Sequence, residues 1–258
     1  MKLAISNLAW APEDSPAVFA RLRDRGFTGL EIAPTKLFPE DPYAHGAEAA
    51  ALLRDIRAAY GLEPVSMQSI WYGQSGNIFR SREERERLEA YTRRAIDFAA
   101  AIGCPNLVFG NPRARAMGPG HREEEVYPFF RRLSDYAAAR GSCLALEPNP
   151  AVYGTDFICT AREAFAFCRR SGCPALRVNL DLGALIWNGE ALPEAPEDLA
   201  LVRHIHISEP QLRRLEPRPL HRQLRDLDYH NYISIEMGLQ PRLEDVLETI
   251  DYVAEVFA

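Results

Sequence analysis

No apolar run in the 258-residue chain approaches ~18 residues, so a membrane-spanning helix is not expected. An excess of basic charge is missing too. Lys and Arg total 30 against 36 Asp and Glu, giving a formal net charge of -6 and a pI near 5.6. That balance argues against a protein that coats nucleic acid. No Cys-x-x-Cys pair occurs, and the cysteines (Cys104, Cys143, Cys159, Cys168, Cys173) are odd in number and irregularly spaced. A disulfide framework or thiolate zinc site is therefore not expected, and the thiols read as reduced, in a cytoplasmic protein. The opening residues, Met1 to Trp10, are too short and too polar for a secretory signal. A glycine-rich phosphate loop after an early strand is absent as well, which counts against a doubly wound open sheet.

What is present is ordinary globular composition, 47% hydrophobic and 26% charged. A chain of this length buries roughly 70–75% of its unfolded surface and needs no staple. Short apolar runs begin near Leu3, Leu30, Val65, Leu107, Cys143, Arg177, Arg203 and Tyr232, and stretches of helical composition follow each of them. Ser81 with Glu84 and Thr160 with Glu163 read as capping boxes, and Gly26, Gly61, Gly103, Gly141 and Gly172 close helices. Leu243, Val246, Leu247, Ile250 and Val253 mark the last helix, just after Pro241. The helices after the sixth and seventh strands are the least marked, because Pro193, Pro196, Pro217 and Pro219 crowd them. Eight units of about 32 residues predict a single (β/α)8 TIM barrel spanning residues 1–258, with no linker for a second domain.

Side chains alternate along a barrel strand, one set facing the helices and the other the axis. In the last four strands the helix-facing set is Leu144, Leu146, Val178, Leu180, Leu182, Ile205, Ile207, Ile233 and Ile235. The alternate positions hold Glu147, then Asn179 and Asp181, then His204 and His206, then Ser234 and Glu236. Converging carboxylates repel each other and are costly to bury unless something pairs them. A divalent cation removes that cost. Glu147, Asp181, His206 and Glu236 offer three oxygen donors and one imidazole, a set suited to one Mn2+, Co2+, Mg2+ or Zn2+ ion. Singly, each such residue is more often a cap, an ion-pair partner or a hydrogen-bonded core group. Four of them in phase at one end of consecutive strands point to a shared site.

At these residues the chain resembles the xylose-isomerase-like superfamily of barrels, which contains sugar and sugar-phosphate isomerases and epimerases. The likeness is carried by Leu144-Ala145-Leu146-Glu147-Pro148-Asn149, Asn179-Leu180-Asp181-Leu182-Gly183, His204-Ile205-His206-Ile207-Ser208-Glu209 and Ile233-Ser234-Ile235-Glu236-Met237, with Val108-Phe109-Gly110 and Asn111-Pro112-Arg113 fitting as well. The resemblance implies the same four metal ligands. It also implies that Glu147 and Glu236 act as an acid/base pair on a ketose, sugar phosphate or polyol-derived ketone, through an enediolate that the metal would stabilise as a Lewis acid. Which glutamate takes the proton and which returns it stays open. Two positions depart from the family pattern. Ala184 stands where a substrate-holding His is frequent, and Tyr153 stands near the place of a second acid in 3-epimerases.

Further candidates for substrate binding are Gln68, Asn111, Arg113, Tyr153, His204 and Trp10. Arg113 and Arg115, on the loop after the fourth strand, are suited to a phosphate or carboxylate, as are Arg213 and Arg214 after the seventh. Trp10, Trp71 and Tyr72 are placed where a sugar's apolar face would stack. Glu31 and Gln68 face the axis and either touch substrate or satisfy each other. The competing functions are a metal-dependent dehydratase of the inosose or dehydroshikimate type and a non-catalytic sugar-binding or partner subunit. A DNA nuclease is disfavoured by the acidic charge and the absence of extra axis-facing histidines. The expected partner is a small sugar or sugar phosphate, with no nucleic acid or membrane, and with a homo-oligomer allowed.

Overall fold

A computed structural model describes residues 1–257. The short apolar runs form β1 (Lys2–Ser6), β2 (Gly29–Ile32), β3 (Glu63–Met67), β4 (Asn106–Phe109), β5 (Cys143–Leu146), β6 (Leu176–Asp181), β7 (Val202–Ser208) and β8 (Tyr232–Glu236). Each starts within two residues of its expected position. Neighbours pair in parallel around the whole circuit, and β8 pairs back to β1. That closure excludes the doubly wound sheet. Parallel neighbours need a crossover, supplied here by α1 (Ser15–Asp24), α2 (Gly46–Tyr60), α3 (Arg82–Ile102), α4 (Tyr127–Ala138), α5 (Ala161–Ser171), α6 (Leu182–Asn188), α7 (Pro219–Arg225) and α8 (Leu243–Phe257). The fold is a single (β/α)8 TIM barrel. None of its helices is long and apolar enough to cross a membrane, among the described residues.

The helix-facing strand residues Leu144, Leu146, Val178, Leu180, Ile205, Ile207, Ile233 and Ile235 are all buried, in one core with Val246, Ile250 and Val253 of α8. Each such side chain contributes about 1.5–3 kcal/mol by leaving water. At the amino end the barrel is closed by close packing. A Cβ on Gly29 would come within 2.8 Å of Ala4, Val65 and Tyr232, so only glycine fits there.

Helix ends follow the sequence with one exception. Thr160 and Glu163 form a complete capping box. Ser81 accepts from the Glu84 N–H, but the Glu84 carboxylate is used elsewhere, accepting from the Asn77 N–H at 2.6 Å. The sixth and seventh units are short for the reason the prolines suggest. α6 ends at Gly189 (φ 67°), Pro196 opens only the four-residue turn Pro196–Leu199, and Pro219 opens the seven-residue α7. Strained backbone collects at the carboxyl end of the barrel. Ser69, Asn111, Ile158, Gln211 and Leu212 all have positive φ in loops after β3, β4, β5 and β7.

Candidate active site

Register places the axis-facing groups side by side. Asn179 pairs with His204, Asp181 with His206, His206 with Ser234, and Ser208 with Glu236. His206 is wholly buried, and its Nδ1 is the meeting point. It lies 3.0 Å from Glu147 Oε1, 3.1 Å from Glu236 Oε2 and 3.7 Å from Asp181 Oδ2. One donor atom from each of these four residues falls within 4.8 Å of the others.

Each carboxylate is held from a different side. Asp181 caps α6, accepting from the Ala184 N–H at 2.5 Å, and takes the Ser208 hydroxyl at 2.8 Å on its other oxygen. Glu147 accepts from Asn179 Nδ2 at 3.0 Å on Oε1 and from Asn149 Nδ2 at 3.2 Å on Oε2. Gly110 leaves the room this needs, since a Cβ there would lie 2.7 Å from Glu147 Oε2. Arg115 completes the support. Its wholly buried guanidinium donates to the Glu147 carbonyl at 2.6 Å, to Asn149 Oδ1 at 2.7 Å and to the Phe157 carbonyl at 2.8 Å. Burial pulls its pKa down to about 10, so it stays charged at neutral pH.

The electrostatics favour positive charge at the cluster. Burial pushes Glu236 up to about 8 despite the attraction of His206, and Glu147 and Asp181 add repulsion. Burial disfavours the charged form of His206 too, yet Glu236 and Glu31, with hydrogen bonds to Asp181 and Glu147, hold its pKa well above the ordinary histidine range. Three carboxylates thus gather round one positive group. A divalent cation bound by the same oxygens and by Nδ1 would meet that demand, and the donor set fits Mn2+, Co2+, Mg2+ or Zn2+.

The cluster floors a cavity of about 600 Å³ at the barrel's carboxyl end. Its walls are largely apolar, with Ile70, Trp71, Phe109, Val152 and Leu212 among them. The sequence model of the xylose isomerase-like TIM barrel matches residues 19–256. The chain belongs to that family. No curated protein sequence matches it. Among solved structures, this xylose isomerase-like barrel is similar to 3-keto-D-glucoside 4-epimerase YcjR from E. coli, at 20% identity and TM-score 0.74, covering 99% of each chain. It is also similar to D-psicose 3-epimerase from Clostridium cellulolyticum H10, solved with D-tagatose (15% identity, TM-score 0.78, 100% of this chain and 98% of that one). A third is the IolI protein with a bound zinc atom (14% identity, TM-score 0.73, 100% and 98%).

Of the remaining sequence candidates in this xylose isomerase-like barrel, Gln68, Asn111, Arg113 and Tyr153 line the cavity. Arg113 is exposed on its wall, and Tyr153 Oη accepts from the Gln211 N–H at 2.9 Å. Trp71 and the 70% exposed Tyr72 line it as well. Two expectations are corrected. Trp10 points outward into the helix layer, packing on Phe19 and donating to Ser15 Oγ at 3.0 Å, because it lies beyond the end of β1 where strand alternation no longer applies. His204 faces the axis but one residue pair below His206, where it is buried beside Glu31 and outside the cavity lining. Burial pulls its pKa down to about 4, against the attraction of Glu31. The arginines also divide. Arg115 is spent on the Glu147 and Phe157 carbonyls and Asn149 rather than free for a phosphate or carboxylate, and Arg214 is tied to Asp245 and Glu248 of α8. Arg115, Asn149 and Asn179 escaped the sequence argument as support groups, although Asn149 and Asn179 stand in the very segments that carry the ligands.

Proposed function

We propose that this protein is a divalent-metal-dependent isomerase or epimerase of a ketose, sugar phosphate or related polyol-derived ketone. One observation carries the reading: three carboxylates and one imidazole nitrogen converge on a single point at the floor of a sugar-sized cavity. Glu147, Asp181, His206 and Glu236 would hold the ion. When bound, it supplies Lewis acidity that makes the proton next to a substrate carbonyl easier to remove. Glu147 and Glu236 then serve as the proton-transfer pair, one taking the proton and the other returning it. Glu147 is fixed by two amides and by Arg115 behind its backbone, and Glu236 stands opposite it across the cluster, 3.1 Å from His206 Nδ1. Trp71, Phe109 and Leu212 exclude water from the reacting carbon, and Arg113 is placed to meet a phosphate or carboxylate. The names of the similar folds, a 4-epimerase of a keto-glucoside and a 3-epimerase of a ketose, support the same chemistry. The five free cysteines, four of them buried, support a reducing compartment such as the cytoplasm.

The test is a screen of ketoses, ketose phosphates and inososes in D2O with the metal-loaded protein. Deuterium at a carbon next to the carbonyl, with mass otherwise unchanged, is expected. Loss of one water would assign the dehydratase reaction instead, and no exchange with any of them would remove the isomerase reading.

A further inference from the structure

Three of the four clustered groups are carboxylates, which offer an oxygen whichever way they turn. His206 differs. A neutral imidazole has one lone pair, on Nδ1 or on Nε2, and the nitrogen left free depends on where the other one's proton goes. Nδ1 faces Glu147, Asp181 and Glu236 and lies 3.1 Å from Asn179 Nδ2, a donor that also favours a lone pair on Nδ1, while Nε2 lies 3.0 Å from Glu31 Oε1.

We propose that Glu31 is a positioning residue for the metal: it accepts the Nε2–H of His206, and so fixes the tautomer and ring angle that present the Nδ1 lone pair to the ion. The assignment rests on the metal reading above. Its support comes from the other half of the barrel. Strands β1 to β4 supply none of the four proposed ligands, but they build a polar layer directly beneath them. Glu31 on β2 is wholly buried, and it accepts from the Ser66 hydroxyl at 2.7 Å and from Gln68 Nε2 at 3.3 Å. Gln68 is anchored in turn on Ser6 Oγ at 2.6 Å, and Ser66 receives Asn106 Nδ2 at 3.0 Å.

No guanidinium or ammonium is among these partners. A buried carboxylate so placed is a poor choice for stability alone, since an apolar side chain would fill the barrel at no desolvation cost. Its use is to orient the ring. A carboxylate behind a ligating histidine also makes the metal-facing nitrogen a better donor. His204 fits this account as a wall. Its ring stands edge-on to that of His206, 5.5 Å away at 88°, and its Nε2 lies 3.6 Å from Glu31 Oε1 with no hydrogen-bond partner among the described residues. Gln68, expected to touch substrate, has its amide nitrogen committed to this layer.

The experiment is a Zn2+ titration of metal-stripped, 15N-histidine-labelled protein, comparing the unmodified chain with Glu31→Gln and Ser66→Ala. Calorimetry reads affinity, and ring 1H–15N spectra read the tautomer of His206. The unmodified chain is expected to bind one Zn2+ with His206 protonated on Nε2 and the Nδ1 signal shifted by the metal. Glu31→Gln should lower the affinity about 10–100-fold, the usual effect of losing such a partner. Ser66→Ala should lower it less, and both variants should keep a cooperative melt without metal. Full Zn2+ affinity and an unchanged ring signature in a folded Glu31→Gln protein would overturn the proposal, leaving Glu31 purely structural. A second Zn2+ that disappears with Glu31→Gln would also overturn it, by making Glu31, His204 and His206 a ligand set of their own. No Zn2+ binding by the unmodified chain would remove the metal site itself, a failure distinct from either.

Discussion

Gly110→Ala tests the arrangement around Glu147 without altering any ligand. Gly110 lies outside the left-handed region, so its backbone accepts alanine. The added Cβ would lie 2.7 Å from Glu147 Oε2. A comfortable carbon–oxygen contact is roughly 3.3–3.6 Å, so the carboxylate must move by roughly 0.6–0.9 Å. Retreat is opposed by the two amides on the carboxylate, Asn179 Nδ2 at 3.0 Å and Asn149 Nδ2 at 3.2 Å. The bond most exposed to the shift is the one from Asn149 Nδ2 at 3.2 Å. A hydrogen bond to a charged group contributes about 1.5–3 kcal/mol, which converts to roughly 10–150-fold in affinity. Calorimetric titration of Mn2+ into metal-stripped protein should therefore show affinity weakened by one to two orders of magnitude. The melting temperature without metal should fall by only a few degrees. Affinity within twofold of the original would show Glu147 to be either free to move or not a ligand.

Glu147→Gln and Glu236→Gln, each checked for retained metal, should cut solvent-deuterium uptake into product by at least about 10²-fold; full exchange in both would remove the proton-transfer pair. The metal-free protein should lose stability as pH rises above about 6.5; below that, His204 and His221, both held near 4 by burial, act in the opposite direction. Glu236 folded titrates near 8, so from about 4.5 upward the folded state keeps a proton that the unfolded chain releases. His206 acts in the same direction, its stabilisation being complete below about 6.5 and lost as pH climbs through its raised folded value. Thermal melts from pH 6.5 to 9 should show this decline, and saturating Mn2+ should flatten it; a melting temperature independent of pH over that range without metal would contradict the electrostatic picture. Arg113→Gln should raise KM for a phosphorylated or carboxylated substrate more than it lowers kcat, whereas an equal effect on a neutral sugar would argue against anion recognition. Arg115→Met should destabilise the fold by several kcal/mol, at about 1–3 for each carbonyl left without a donor. A melt unchanged within a degree would show those contacts to be dispensable.

The barrel and the convergence of its four axis-facing side chains were legible in the sequence because both follow from period. Alternation with period two is enough to put Glu147, Asp181, His206 and Glu236 on one face. The eight apolar runs, each followed by a helical stretch, are enough to close the sheet. What lies beyond a strand's end does not obey that period. Trp10 and Arg115 sit in loops, where direction is set by local packing, and both turned to roles the sequence did not suggest. His204 shows the other limit. Alternation tells which side a residue faces but not its height along the axis, and two residues of height separate His206, a proposed metal ligand, from His204, a buried wall. Glu31 was seen to face the axis, but its partner on β7 is 175 positions away and no local pattern joins them.

In the proposed site one cation is held by four side chains. Calorimetric titration of Mn2+ into metal-stripped protein, repeated with His206→Ala, measures it. The prediction is one Mn2+ per chain, a raised melting temperature on binding, and loss of both with His206→Ala. No binding and no thermal stabilisation by Mn2+, Co2+, Mg2+ or Zn2+ would contradict it.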